Sequence, residues 1–305
     1  MAQTVCVGSA VLDRVYALSN LPEPDGGAYV TGYYERAGGV AANVACALAA
    51  LHEDAAVVSR VGQDDAADVI VDSLAEYGVT AHVQRGDGES TYTLVLRGPD
   101  GNRMIVAGGD SVPQLRLSDH DCDRLRAADC VFTSAYAPDR VVSRLVELRR
   151  AGEIESLAFD LAGPLSELRG RGTATETIDA AVVVADLFVT NEVAARSYLD
   201  RAPAGAARTL GRAGADRVAV TSGSNGAHLA GGDADPVYVP AVDCEVVDTT
   251  GAGDQFTAVL IHAWVLGGRS ATVAGRMAVV AAAGNCTARG PRGSLATPTD
   301  LVDDP

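Results

Sequence analysis

Short runs of β-branched and aromatic residues alternate along this chain with longer segments whose apolar positions recur every three or four residues. Thr4–Val7, Ala56–Val61, Cys130–Thr133, Leu157–Asp160, Leu187–Thr190 and Val218–Thr221 are short and almost continuously apolar, which predicts strands buried on both faces. Between them the spacing predicts helices over Val40–Leu51, Asp65–Tyr77, Ser118–Arg126, Asp139–Ala151, Val193–Leu199 and Pro203–Ala213. This alternation predicts an α/β fold of three α/β/α layers, with a mostly parallel central sheet. Two stretches break the rhythm. Ala28–Arg36 and the pair Tyr92–Arg97 and Arg103–Val106, joined by a turn over Gly98–Asn102, predict antiparallel strands outside the main sheet. They would form a small β-lid drawn approximately from 13–36 and 88–107. With no repeat, low-complexity tract or linker, residues 1–305 are expected to form one domain carrying that lid.

Composition narrows the chemistry. A hydrophobic share of 48% in 305 residues suffices for a sizeable core. All 24 basic residues are Arg, which excludes a P-loop lysine and Schiff-base catalysis. Forty acidic residues and a net charge of −16 argue against a nucleic-acid backbone as partner. The expected partner is a small molecule. Of the acids 28 are Asp and 12 Glu, which with the lack of Lys favours adaptation to high salt; a GC-rich genome that replaces Lys codons by Arg codons is the alternative. The six cysteines (Cys6, Cys46, Cys122, Cys130, Cys244, Cys286) form no CxxC pair, as expected of thiols in a reducing cytosol. The opening MAQTVCVGSAVLD lacks a basic signal-peptide region, and no apolar run approaches ~18 residues. A cytoplasmic protein without a membrane segment is expected.

Cys244–Phe256, CEVVDTTGAGDQF, is the most informative segment. A β-type run ending at Asp248 leads through a glycine turn into a helix whose stripe is Phe256, Val259, Leu260, Ala263 and Trp264. Gly251, Ala252, Gly253 and Asp254 therefore sit at a helix N-terminus, where unpaired amides and the positive end of the dipole make an anion hole. Such a hole stabilises a transferring phosphoryl group without Lys, and Asp254 is placed to take a proton from an attacking hydroxyl. Taken alone, GAGD equally fits a helix cap and a chain reversal. The longer string DTTGAGD favours the chemistry.

That string resembles the C-terminal signature of the ribokinase (PfkB) family of carbohydrate and nucleoside kinases. Gly8–Asp13 (GSAVLD) resembles the family's first strand, and Gly38–Asn43 (GGVAAN) its glycine pair and Asn. Val61–Asp65 resembles its G-x-D stretch, and Thr221–Gly226 its nucleotide-binding turn. The resemblance implies a ribokinase-like fold, Asp254 as catalytic base with Gly251, Ala252 and Gly253 as anion hole, and a sugar bound by Asp13, Gly38, Gly39 and Asn43. It implies ATP and Mg2+ as cofactors, with Asn191, Thr221, Gly223, Gly226 and Thr249 at the nucleotide. A monovalent cation such as K+ would lie at Asp248, Thr250, Gly290 and Ser294. Read locally, Asn225-Gly226 is also a two-residue hairpin turn, and Asp64-Asp65 a turn and helix cap.

Two departures stand out. The family usually carries N-x-x-E after a central strand, its Glu helping to organise Mg2+; here Ala194 replaces it, and Glu192 lies on the opposite side of the helix. Ala135-Tyr136 stands where ribokinases tend to place an acidic residue facing the sugar. The expected activity is ATP-dependent phosphorylation of a hydroxymethyl group on a sugar. A nucleoside, with Tyr33, Tyr34 or Tyr136 stacking on its base, is an alternative. A sugar phosphate such as ribose 1-phosphate or fructose 1-phosphate, gripped by Arg36, Arg97 and Arg103, is another. A catalytically impaired, kinase-like binding protein is the outside reading. A dinucleotide-dependent oxidoreductase is excluded because GSAVLD is not G-x-G-x-x-G. Exposed lid edges predict a homodimer paired through the lid.

Overall fold

The computed structural model describes residues 3–100 and 102–301. The first third of the chain gives β1 (Gln3–Val7), β2 (Val11–Leu18), β3 (Val30–Gly38), α1 (Val40–Ala50), β4 (Asp54–Val61), α2 (Asp65–Glu76), β5 (Thr80–Arg85), β6 (Tyr92–Arg97) and β7 (Arg103–Gly108). The middle gives α3 (Asp119–Ala127), β8 (Cys130–Ser134), α4 (Asp139–Arg150), β9 (Leu157–Asp160), α5 (Leu165–Leu168), α6 (Thr175–Val184), β10 (Leu187–Asn191) and α7 (Glu192–Leu199). The remainder gives α8 (Pro203–Ala213), β11 (Arg217–Thr221), β12 (Ala227–Gly231), β13 (Val237–Val239), α9 (Ala252–Leu260) and α10 (Ala271–Cys286).

Nine strands form one sheet in the order β13-β12-β11-β10-β9-β8-β1-β4-β5. Every pairing from β5 to β11 is parallel, and β12 and β13 add antiparallel at one edge. Alternation along the strands builds the outer layers. On β1, Cys6 faces a core shared with α1, α9 and α10, while Val5 and Val7 face one shared with α3 and α4. Phe159 and Phe188 point instead towards α4, α6, α7 and α8, fully buried with ring centroids 5.3 Å apart. The three-layer arrangement with a mostly parallel sheet is the expected one. Strands apolar on both faces require it.

A second sheet of four strands, in the order β3-β2-β6-β7, forms the lid. Its strand β2, Val11–Leu18, falls largely within the expected stretch 13–36 and pairs antiparallel with β3 but parallel with β6. The lid sheet is therefore mixed. The expected turn over Gly98–Asn102 includes Gly101, which lies outside the described residues.

Three further details correct the sequence reading. Cys244–Asp248 joins no strand; it is tied to the body by the Val247 and Asp248 amides, which donate to the Cys286 carbonyl at the end of α10, and by the Asp248 side chain, which accepts from the Gly290 amide. β11 and β12 are joined by the five residues Ser222–Gly226, with a single 3-10 turn at Gly223–Asn225, and not by a two-residue Asn-Gly turn. The helix begun by α9 widens into π-helical turns over Ile261–Leu266, so its stripe does not continue as one regular helix to Trp264. Strand β5 and helices α6 and α10 were not anticipated. α10 is rich in Ala and Gly, with Ala274, Gly275, Ala278 and Ala281 buried, so small side chains rather than a periodic apolar stripe mark its packed face.

Burial of Phe159 beside the end of β9 makes it a sensitive point. Phe159→Ala is expected to cost about 3–5 kcal/mol in stability. Denaturant unfolding monitored by circular dichroism would measure it, and a loss below about 1 kcal/mol would show that the surrounding layer collapses around the cavity.

Candidate active site

The carboxyl ends of β1, β9, β10 and β11 converge with the N-terminus of α9, the crevice in which open α/β sheets place their ligands. Gly251 starts α9 at φ +80°, a left-handed conformation, and a Cβ there would run into the Pro291 carbonyl. Behind it the first-turn amides have no intrahelical acceptor. Gly253 faces open space, with nothing within 4 Å of where a Cβ would stand, so a ligand can approach the backbone closely. Gly39 does a similar job for α1. Its φ of +98° and its contact under the Ser9 carbonyl leave no room for a side chain.

Asp254 lies in the first turn of α9, and its Oδ2 accepts a hydrogen bond from Asn43 Nδ2 at 2.7 Å. Asn43 is buried on α1, and its Oδ1 accepts in turn from Arg292 Nε at 3.0 Å. Arg292, only 8% exposed, also donates from Nη1 to Ser73 Oγ at 2.9 Å. A buried amide thus has both ends used, one on a carboxylate and one on a guanidinium. Asp13 stands at the lid side. Its Oδ1 accepts from Thr93 Oγ1 at 2.6 Å, and its Oδ2 lies 3.7 Å from Arg36 Nε and against Gly38.

A cavity of about 150 Å³ is lined by Asp254, Asp160, Gly253, Asn191, Thr221 and Tyr136, among others. Burial pushes the Asp254 carboxyl up to about 7, against the Asn43 hydrogen bond and Arg292 and with a smaller push from Asp13. Asp160 is raised to about 7 as well, again chiefly by burial, with the Ala162 amide opposing and the Asp254 charge adding. Its Oδ1 accepts from that amide at 2.8 Å. Two carboxyl groups in one small cavity therefore titrate near neutrality. Burial raises Asp13 in the same direction, opposed by Thr93 and Arg36.

Of the residues expected at the site, Asp13, Gly38, Gly39 and Asn43 sit together beside Asp254 and the Gly251–Gly253 turn. Asn191 lines the cavity, yet both halves of its amide are engaged: Oδ1 caps α7 through the Ala194 amide at 2.9 Å, and Nδ2 donates to the Ala162 carbonyl at 2.5 Å. Thr221 lines the cavity, whereas Gly223 and Gly226 lie in the loop beyond it and Thr249 faces a different cavity. Ala194 is fully buried, and Glu192 pairs outward with Arg196 at 3.2 Å. Among the expected cation ligands, Asp248, Thr250 and Gly290 meet. Asp248 Oδ1 accepts from the Thr250 amide and hydroxyl, and Oδ2 from the Gly290 amide at 3.1 Å. Ser294 is exposed and makes no hydrogen bond to them. Arg36 and Arg103 stand 3.5 and 3.9 Å from the same carboxylate. Burial acts to raise Asp248, but the Thr250 and Gly290 bonds and Arg36 outweigh it and hold it below the usual range. Asp64 caps α2 through the Ala67 amide, as its local pattern suggested.

Arg292 and Asp160 were missed. Arg292 lies in the turn Gly290-Pro-Arg-Gly293, which carries no local sign that its side chain is buried. Asp160 ends an apolar strand, and that position at a sheet's carboxyl edge was the available signal.

The profile of the pfkB family of carbohydrate kinases matches residues 1–298. An ATP-dependent ribose-1-phosphate kinase of Halopiger xanaduensis is 30% identical, over 88% of this chain and 86% of its own. A ribokinase of Bacillus subtilis is 26% identical over 99% of each chain. The fold is that of solved ribokinases. One from Giardia lamblia superposes with a TM-score of 0.85 at 20% identity, covering 99% of both chains. One from Arabidopsis thaliana, complexed with ribose and ATP, has a TM-score of 0.84 at 24% identity, covering 98% of this chain and 97% of its own.

The raised carboxyl groups carry a stability signature. For Asp254 the folded value near 7 exceeds the ordinary 3.8, so the native state holds the proton more tightly. The favourable contribution is complete below about pH 4 and is lost as pH rises through about 7. Asp254→Asn is therefore expected to raise the melting temperature at pH 8 relative to wild type and to change it little near pH 4. Thermal melts at both pH values check this, and equal shifts at the two would contradict it.

Proposed function

This chain belongs to the pfkB family of carbohydrate kinases, and from that premise we propose that it transfers the γ-phosphoryl group of ATP to a hydroxymethyl group of a small sugar, with Asp254 as the base. It is a phosphotransferase acting with ATP on a small sugar- or nucleoside-like substrate. The observation that carries the finer reading is the Asp254 carboxyl, raised to about 7, on the first turn of a helix whose amides open into the same cavity. A base is most effective when its pKa lies near the working pH.

The residues present fit the cofactor. The glycine turn offers unpaired amides and open space at Gly253, as a polyphosphate needs, and Asp160 offers a hard oxygen beside them. MgATP, when bound, supplies the phosphoryl group and part of the neutralisation of its charge. Thr221 and Asn191 border the cavity from the sheet side. Ala194 brings no carboxylate there, and besides Asp254 the acid lining the cavity is Asp160.

In this reading Asp13 and Asn43 orient the sugar hydroxyls. Asn43 also holds the Asp254 carboxylate in one rotamer, so the lone pair meets the hydroxyl proton without reorganisation. The amides of the Gly251–Asp254 turn take up the negative charge that develops on the migrating group. The lid closes the sugar side against water. The Halopiger, Bacillus and Salmonella relatives are described as ribose-1-phosphate kinase, ribokinase and deoxyribokinase, and this shared pentose chemistry supports a five-carbon sugar.

A coupled ADP-release assay over pentoses, hexoses, their phosphates and nucleosides, with Mg2+ and with and without KCl, tests the reading. ADP release should depend on the acceptor. Asp254→Asn should lower turnover by roughly 10²–10⁴, the usual contribution of a positioned base. Near-wild-type turnover in that variant would remove Asp254 from its role. The wild-type log kcat/KM should climb with pH below about 7 and level off above, as the carboxyl loses its proton. A profile flat from pH 5 to 8 would contradict the assignment.

A further inference from the structure

A second cavity of about 240 Å³ lies between the lid and the segment Val246–Thr250, and three arginines line it: Arg36, Arg97 and Arg103. Strand register explains the convergence. Arg36 stands opposite Asp13, Asp13 opposite Thr93, and Arg97, four positions along β6 from Thr93 and so on the same face, opposite Arg103. The face of the lid turned to the body thus carries Asp13 and Arg36 at one end and Arg97 and Arg103 at the other.

Internal pairing covers these charges only in part: Arg36 and Arg103 share Asp248, at 3.5 and 3.9 Å, and Arg97 has no carboxylate among the described residues. Asp248, the one acid lining the cavity, already has Oδ1 on the Thr250 amide and hydroxyl and Oδ2 on the Gly290 amide. Arg103 Nη1 donates to Thr250 Oγ1 at 2.7 Å, and Arg36 Nη1 reaches Asp248 at 3.5 Å. Arg36 Nε is buried without a hydrogen-bond partner, 3.7 Å from Asp13. Among the described residues Arg97 makes one hydrogen bond, at 3.3 Å to the Val247 carbonyl, and no ion pair. In a chain where 40 acids outnumber 24 arginines, a half-buried guanidinium left without a carboxylate beside a cavity is set for an anion from outside.

We propose that the acceptor carries a phosphate of its own, seated in this cavity by Arg97, Arg103 and Arg36 while its hydroxymethyl group meets Asp254. This deepens the kinase reading above and rests on it. Consecutive residues of one turn join the two places: Thr249 and Thr250 wall the arginine cavity, and Gly251 walls the cavity of Asp254. Asp13 and Arg36 span the lid side between them. A phosphate monoester offers three oxygens to the planar guanidinium forks, whereas a neutral sugar brings no charge to Arg97. The same phosphate chemistry could come from the nucleotide, and the experiment separates the two sources.

Arg97→Gln is the variant of choice, because Arg97 holds no other element through an ion pair; equal melting temperatures confirm that the fold is kept. Steady-state kinetics with ribose 1-phosphate as the probe should show its KM raised about tenfold or more, the weight of a charge-assisted contact to phosphate, with kcat and the KM for ATP nearly unchanged. Titration calorimetry without nucleotide should show ribose 1-phosphate binding to wild type, weaker binding to the variant, and no comparable binding of ribose. A rise in the KM for ATP instead assigns the cavity to the nucleotide and overturns the proposal. Turnover of neutral pentoses or nucleosides as efficient as that of sugar phosphates overturns it while leaving the kinase reading intact. Absence of turnover on every acceptor overturns both.

Discussion

One hydrogen bond joins the two halves of this site: Asn43 Nδ2 to Asp254 Oδ2, from the second turn of one buried helix to the first turn of another. The two helices pack side by side in the same core layer, and their N-termini meet at the sheet's carboxyl edge. Because the other end of the Asn43 amide is held by Arg292, the carboxylate cannot turn without disturbing a buried guanidinium. The cost of keeping a carboxyl in so dry a place appears as its raised affinity for a proton. The same dryness strengthens every charge interaction within the cavity.

The layers of the fold were legible because the sheet is parallel. Strands buried on both faces must be apolar throughout, so runs such as Cys130–Thr133 and Leu187–Thr190 stood out against their surroundings. The elements that escaped notice lack such contrast. β5 is an edge strand with polar residues, and α10 packs through Ala and Gly, which give no stripe. β2 lay largely inside the stretch 13–36 expected for the lid, but Val11–Leu18 mixes apolar positions with Asp13 and Arg14, so its bounds as a strand emerge only from its pairing with β3 and β6. Within the site, the glycine turn and Asn43 could be read because backbone chemistry constrains local sequence. Arg292 could not. Its role comes from a contact 249 residues away along the chain, and nothing near it in sequence records that contact.

The absence of Lys has visible consequences. Arginine fills every cationic role, and the guanidinium's several fixed donors let one side chain serve two partners at once. Arg292 bridges Asn43 and Ser73, and Arg36 lies between Asp13 and Asp248. Asp248 itself shows how a carboxylate is kept ionised beside buried surface: backbone and hydroxyl donors saturate it first, and the arginines add their field.

The lid has no separate hinge between its strands and the Asp13 and Arg36 side chains they carry. β2 follows β1 after only three residues, β3 runs within one residue of α1, and Asp13 and Arg36 belong to those two strands. Any swing of the sheet therefore drags Asp13 and Arg36 with it, as jaws carry their own teeth. The strands and these two side chains are mechanically a single degree of freedom, so a change that loosens one must slacken the other.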